Sequence, residues 1–174
     1  MNRFIYRILS SQTGARIQIR ILLRQTARAF GVDAPRVSGM SASELLRTYA
    51  QFTADESRRA MDSGQDLVHL HQKLYDMAYH LGSRLRRWMR PHDDRDCLAI
   101  LTLLYKNIDI LISERKSGKF YVSRCYFSAF YTPEVCRLIS GIDQGIFAGI
   151  YQRGRLTFED RITEGYNQCK ACLK

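Results

Sequence analysis

Proline, long apolar runs and early acidic residues are what this chain has least of. Only three prolines occur in 174 residues, at 35, 91 and 133, so long segments between them are free to run as helices. No apolar run approaches the ~20 residues of a membrane-spanning helix. The longest candidate, Leu98 to Ile112, is interrupted by Lys106, Asn107 and Asp109. No internal repeat, low-complexity tract, helix-turn-helix, RNA-recognition strand motif or phosphate loop is present, so nucleic acid is not an expected partner. What remains is 45% hydrophobic, with 8 Phe and 10 Tyr, enough for one domain with its own core and no disulfide or metal staple. At 25% charged residues, wholesale disorder is excluded.

The charge is lopsided. There are 21 Arg against 6 Lys, the net charge is +10, and no acid precedes Asp33. The first 32 residues therefore carry +6 and the other 142 only +4. Arg16, Arg20, Arg24 and Arg28 recur every four residues, which stacks them on one face of a helix. Ile17, Ile21, Leu22 and Phe30 form the expected apolar side, with Ile19 and Leu23 at its margins, and Gly31 ends the pattern. Four readings stay open: a docked helix with a solvated arginine face, a helix lying on an anionic membrane or acidic protein, a phosphate-binding stripe, and an organellar transit sequence. The segment lacks the continuous apolar centre of a secretory signal. A cytoplasmic protein, peripheral to a membrane if the arginines dock, is the expectation.

Ser41 and Glu44 form a capping-box pattern that opens a helix to about Asp62. After Ser63-Gly64, the residues Leu67, Leu70, Leu74, Met77, Leu81, Leu85 and Trp88 fall at helical three-four spacing, ending before Pro91. From Cys97 to Ile112 the chain is apolar nearly all round, which predicts the central helix of a bundle over 41–117. Lys119 to Tyr131 is dense in aromatic and β-branched residues and reads as a strand. Simple alternation gives Phe120, Val122, Arg124, Tyr126 and Ser128 one face, and Tyr121, Ser123, Cys125, Phe127 and Tyr131 the other. Thr132-Pro133-Glu134 starts a further helix, which Gly154 ends. Residues 155–162 and 166–173 read as two more strands. The expected architecture is α+β, a single domain over 1–174: a basic amphipathic helix in 1–32, a helical bundle, and a small antiparallel sheet in the C-terminal third.

His69 and His71 are two apart on a helix and point in nearly opposed directions, so they cannot share a metal. Asp62, Asp66, His69, Lys73, Asp76 and His80 form a solvated stripe, in which only Asp76 and His80 keep ligand spacing. Cys97 belongs to the apolar helix and reads as inert core. Cys125, Cys136, Cys169 and Cys172 are reduced thiols if the chain stays in the cytoplasm. They leave three readings open: buried structural cysteines, a reactive thiol, or a zinc or iron–sulfur site with the non-standard spacing C-x10-C-x32-C-x2-C. Asp143 is the only acid between Glu134 and Glu159 and shares a helix face with Cys136, Ser140 and Phe147. A carboxylate in so apolar a segment is either a partnered structural acid or a functional one with a shifted pKa. Gly141, Gly145 and Gly149 recur every four residues, which costs helix propensity unless another backbone packs closely.

The last third resembles a known family. Arg124-Cys125-Tyr126 in an aromatic strand is followed by a helix with Cys136 and Asp143, by Phe158 and Arg161, and by Thr163-Glu164-Gly165-Tyr166-Asn167-Gln168-Cys169. Over residues 119–172 this order is similar to the bacterial L-2-amino-thiazoline-4-carboxylic acid hydrolase family. Where those proteins continue with Asp-Phe, this chain has Lys170-Ala171-Cys172. The resemblance implies hydrolytic opening of a cyclic amidine-like C=N ring to an N-carbamoyl amino acid, with a small-molecule substrate and no cofactor. It implies Asp143 as acid or base, Cys125 or Cys169 as nucleophile, Arg124 or Arg161 as carboxylate clamp, and Tyr131 as a further substrate contact. The alternative is a non-catalytic module that docks through Arg16, Arg20, Arg24 and Arg28.

Overall fold

The computed structural model describes residues 1–116 and 118–174. Six α-helices precede or interleave with four strands: α1 (Arg3–Leu9), α2 (Gln12–Phe30), α3 (Ala42–Asp62), α4 (Leu67–Met89), α5 (Asp94–Lys106), β1 (Ile110–Lys116), β2 (Lys119–Cys125), α6 (Pro133–Tyr151), β3 (Leu156–Asp160) and β4 (Cys169–Leu173). The fold is α+β, as expected, and helices and sheet share one hydrophobic cluster. Caps fix the helix ends. The Ser41 side chain accepts from Glu44 N and the Glu44 carboxylate from Ser41 N, while Asp66, Asp93 and Thr132 cap α4, α5 and α6. Gly31, at φ +77°, ends α2.

The sheet order is β1-β2-β4-β3, all antiparallel. Its inner face carries Phe120, Leu156, Cys169 and Ala171, all buried. Phe120 meets Phe147 of α6 edge-on, with ring centres 4.9 Å apart. On its other side α6 lies against α4, the most extensive helix contact in the molecule. The glycines make that approach possible. A Cβ on Gly145 would fall on the Tyr75 carbonyl oxygen and 2.8 Å from Ala78 Cβ, and one on Gly82 would come 2.7 Å from the Ile146 oxygen. His71 of α4 completes the seam through Nδ1 to Leu138 O (3.1 Å) and Nε2 to Gln144 Oε1 (2.9 Å).

Several expectations are corrected. The central helix is α6, buried on nearly every side, and not the segment 97–112. That segment stops being helical at Lys106, and Asp109 takes a left-handed backbone (φ 55°), which an aspartate tolerates better than most residues. Ile110 onward then pairs with β2, so the bundle ends earlier than 117; Ser117 itself lies outside the described residues. The strand begun at Lys119 stops at Cys125 and tightens into a 3₁₀ turn over Tyr126–Ala129. In α2 the inward face is Ile19, Leu22, Leu23, Thr26 and Ala27, while Ile17 and Ile21 are exposed. The α4 stripe divides: Leu70, Leu74 and Ala78 are buried, but Trp88 is exposed. The polar stripe from Asp62 to His80 is solvated as expected. Among the described residues no helix is long and apolar enough to cross a membrane.

Gly145→Ala is expected to destabilise the protein by about 1–3 kcal/mol, because the new methyl meets α4 backbone and the Ala78 methyl, neither of which can swing aside. A urea titration of the variant checks this.

Candidate functional site

Two β-bulges determine which side chains reach α6 from the sheet. In β1–β2 the register runs Ile112↔Val122 and then Leu111↔Arg124, two residues of β2 for one of β1. The extra residue reverses the alternation, so Cys125, opposite buried Ile110, faces inward and Arg124, opposite exposed Leu111, faces out. A second bulge lies in β3, where Phe158↔Ala171 is followed by Asp160↔Lys170. Asp160 therefore turns outward to an ion pair with Lys170 at 2.5 Å, and the next residue, Arg161, turns in. Arg124, expected as a substrate clamp, is thus turned away from α6, exposed and ion-paired with Asp109.

Inward of these bulges, α6 presents Cys136, Ser140 and Asp143. The Arg161 guanidinium stacks 4.3 Å from the Phe158 ring centre, donates to Ser140 Oγ at 3.3 Å and to Cys136 Sγ at 3.7 Å, and has Glu164 3.9 Å away. Cys169 is buried, and its sulfur accepts from Ile162 N at 3.3 Å. The charges of Asp143, Cys169 and Cys136 reach Cys125, and those of Cys136 and Asp143 reach Cys169. Tyr131 stands behind this group. Its hydroxyl is 2.5 Å from Thr53 Oγ1, next to a second hydroxyl pair, Tyr49 with Thr26.

The Asp143 carboxyl is the pivot. Burial pushes its pKa up to about 6, against the opposing hydrogen bond from Tyr105 and the charge of Arg161. The Tyr105 hydroxyl donates to Oδ1 at 2.6 Å, and Oδ2 receives no hydrogen bond among the described residues. The partner of the Asp143 carboxyl is therefore a tyrosine. The surroundings act oppositely on thiol reactivity. Burial, with the Asp143 charge adding to it, pushes Cys125 up to about 12, and burial also raises Cys169. Such thiols are neutral near pH 7 and poor nucleophiles.

Asp143 and Tyr105 also line a cavity of about 280 Å3 enclosed by α1, α2, α4, α5 and α6. Leu81, Leu85, Leu104, Ile142 and Ile146 make much of its wall. Cys125, Cys169, Arg161 and Tyr131 do not line it. Two lining residues went unnoticed in the sequence. Tyr105 is indistinguishable there from its apolar helix neighbours. Arg84 has a readable signal, since it stands beside Leu81, Leu85 and Trp88 on two successive turns of α4, and it is exposed without an ion-pair partner among the described residues.

No metal centre emerges from the late cysteines. β4 is regular, so Cys169 and Cys172, three apart, face opposite sides of the sheet. Among the described residues no group of three or more His, Cys, Asp or Glu side chains is gathered as for a metal ion. Cys97 is buried core, with Arg86 donating to its sulfur at 3.4 Å. The arginine ladder is not uniformly solvated either: Arg24 and Arg28 are exposed, but Arg16 and Arg20 are half-buried and Arg20 reaches Val37 O.

The raised carboxyl has a signature in stability. Folded Asp143 holds its proton more tightly than the unfolded chain, so its contribution is full below about pH 4 and is lost as pH rises through about 6. Asp143→Asn keeps the acceptor for Tyr105 and removes the charge. It is expected to match the parent near pH 4 and exceed it by up to about 3 kcal/mol at pH 8, measured by denaturant unfolding at both pH values.

Compared with known proteins, the chain matches no protein-family model and no curated sequence.

Proposed function

We propose that this domain is a small-molecule hydrolase-like protein that opens a cyclic C=N ring, with Asp143 as its acid–base group. The observation that carries the reading is a carboxyl with a pKa of about 6 at the wall of an apolar cavity, one oxygen held by Tyr105 and the other open. A general acid works best when its pKa lies near the working pH. The protonated carboxyl gives its proton to the ring nitrogen as water adds to the adjacent carbon, and the carboxylate takes one proton back from that water. As the carbonyl forms, the ring bond from this carbon to its heteroatom breaks, and the heteroatom leaves with the water's second proton. In this reading Arg84, which lines the cavity, receives the substrate carboxylate in place of Arg124 or Arg161. Cys125 and Cys169 are neutral neighbours in this scheme, and water is the nucleophile.

With 2-amino-thiazoline-4-carboxylate as substrate, Asp143→Asn is expected to lower kcat by 10²–10⁴-fold, and Cys125→Ser to leave it within about threefold, because the thiol takes no part. Activity is expected to decline as pH rises through about 6, where the carboxyl loses its proton. Chromatographic detection of the ring-opened product follows both. Full activity in Asp143→Asn rejects the reading.

A second reading, peripheral docking on an anionic membrane, is supported by one surface. Ile8, Ile17, Ile21 and Trp88 are 43–53% exposed around the cavity mouth, on a side of the fold where α1 and α2 carry arginines and no acid. Co-sedimentation with phosphatidylserine vesicles is expected, with none on phosphatidylcholine. Arg24→Gln/Arg28→Gln is expected to weaken it several-fold, since these are the exposed members of the ladder.

A further inference from the structure

The cavity that contains Asp143 has more apolar surface than a small polar ring acid alone would cover. Its wall is aliphatic, and its few polar groups are mostly engaged. Gln18 donates to Leu104 O at 2.8 Å and accepts from Asn107 at 2.9 Å, and the Tyr105 hydroxyl is spent on Asp143. Arg84 is exposed, with its charge screened by solvent. Among the described residues, Oδ2 of Asp143 is the one side-chain polar atom of the lining left unused away from the rim. A compact polar ligand would leave its remaining donors and acceptors against Leu81, Leu85, Ile142 and Ile146. The mouth repeats the message, because Ile8, Ile17, Ile21 and Trp88 line the cavity yet remain 43–53% exposed. Apolar side chains held open to water around a cavity are surface that a hydrocarbon ligand would cover. At about 280 Å3 the space lies just under the ~300–1,000 Å3 of pockets that enclose drug-sized molecules.

We infer that the ligand of this site is an amphiphile: an amidine-type nitrogen head that meets Asp143, joined to a hydrocarbon body that fills the cavity. The inference rests on the acid–base reading for the head and on the wall and mouth for the body. Amidinium and carboxylate are complementary in charge and in hydrogen bonding, and Oδ2 is the free acceptor. The hydrocarbon body is the part that no polar thiazoline acid would supply.

Trp88 is the only tryptophan and stands at the mouth, so its fluorescence reports occupancy directly. Benzamidine, 4-butylbenzamidine and butylbenzene serve as probes at pH 7.5. The expected result is a blue shift of Trp88 emission with 4-butylbenzamidine, at a Kd at least tenfold below that of benzamidine. Asp143→Asn, with its fold checked by thermal melting, is expected to weaken 4-butylbenzamidine at least tenfold and leave butylbenzene unchanged. Equal affinity for benzamidine and 4-butylbenzamidine, or no binding of either, overturns the inference. Butyl-dependent binding that Asp143→Asn leaves intact overturns the head assignment and the acid–base reading together. Butyl-dependent, Asp143-dependent binding without ring opening of any thiazoline supports the ligand class and removes only the hydrolytic reading.

Discussion

The close approach of α4 to α6 is the constraint on which the rest of this fold depends. Gly82 on one helix and Gly141, Gly145 and Gly149 on the other let backbone meet backbone where any Cβ would collide. Four glycines in helix interiors cost intrinsic stability, each by up to ~1 kcal/mol relative to alanine. The return is position. Held this tightly, α6 becomes a wall with the sheet on one side and the helical cavity on the other, and Asp143 stands where the two environments meet.

That placement explains why the same low-polarity surroundings act so differently on neighbouring groups. Burial penalises charge, so it lifts a carboxyl into the working range of an acid–base catalyst and lifts thiols out of the range of a nucleophile. Arg161 does not reverse either effect, because its own charge is shared with Glu164, Ser140 and the Phe158 ring. Tyr105 holds the carboxylate from the helical side without supplying a formal charge. The result is an acid that keeps its proton up to about pH 6 and has one face to a ligand-sized space.

Much of this was legible in the sequence, and the failures have physical causes. Helix starts at Ser41 and Thr132 follow from local capping chemistry, which needs no tertiary information. Asp143 stands out because a lone acid in an apolar helix requires a reason, and the spaced glycines announce a close neighbour without naming it. The end of α5 was hidden because an apolar run suits a buried helix and a buried strand equally, and pairing with β2 decided the matter. The α2 inward face was misplaced by a fraction of a turn because Ile17 and Ile21 look like core, whereas they rim a cavity. Arg124 and Cys125 were assigned to the wrong faces because alternation assumes a regular strand. No residue type marks a bulge at Ser123.

The bulges also show where the sheet can tolerate a change of length. Ser123 and Glu159 are exposed and have no partner across the ladder, so the residues on either side of each already stand in the in-and-out order of a regular strand. Without Ser123, Val122 would remain inward, Arg124 outward and Cys125 inward, each opposite the residue it now faces. Without Glu159, Phe158 and Asp160 would likewise keep their partners Ala171 and Lys170. A deletion elsewhere in these strands would exchange the two faces, and at these positions it would only straighten the strand.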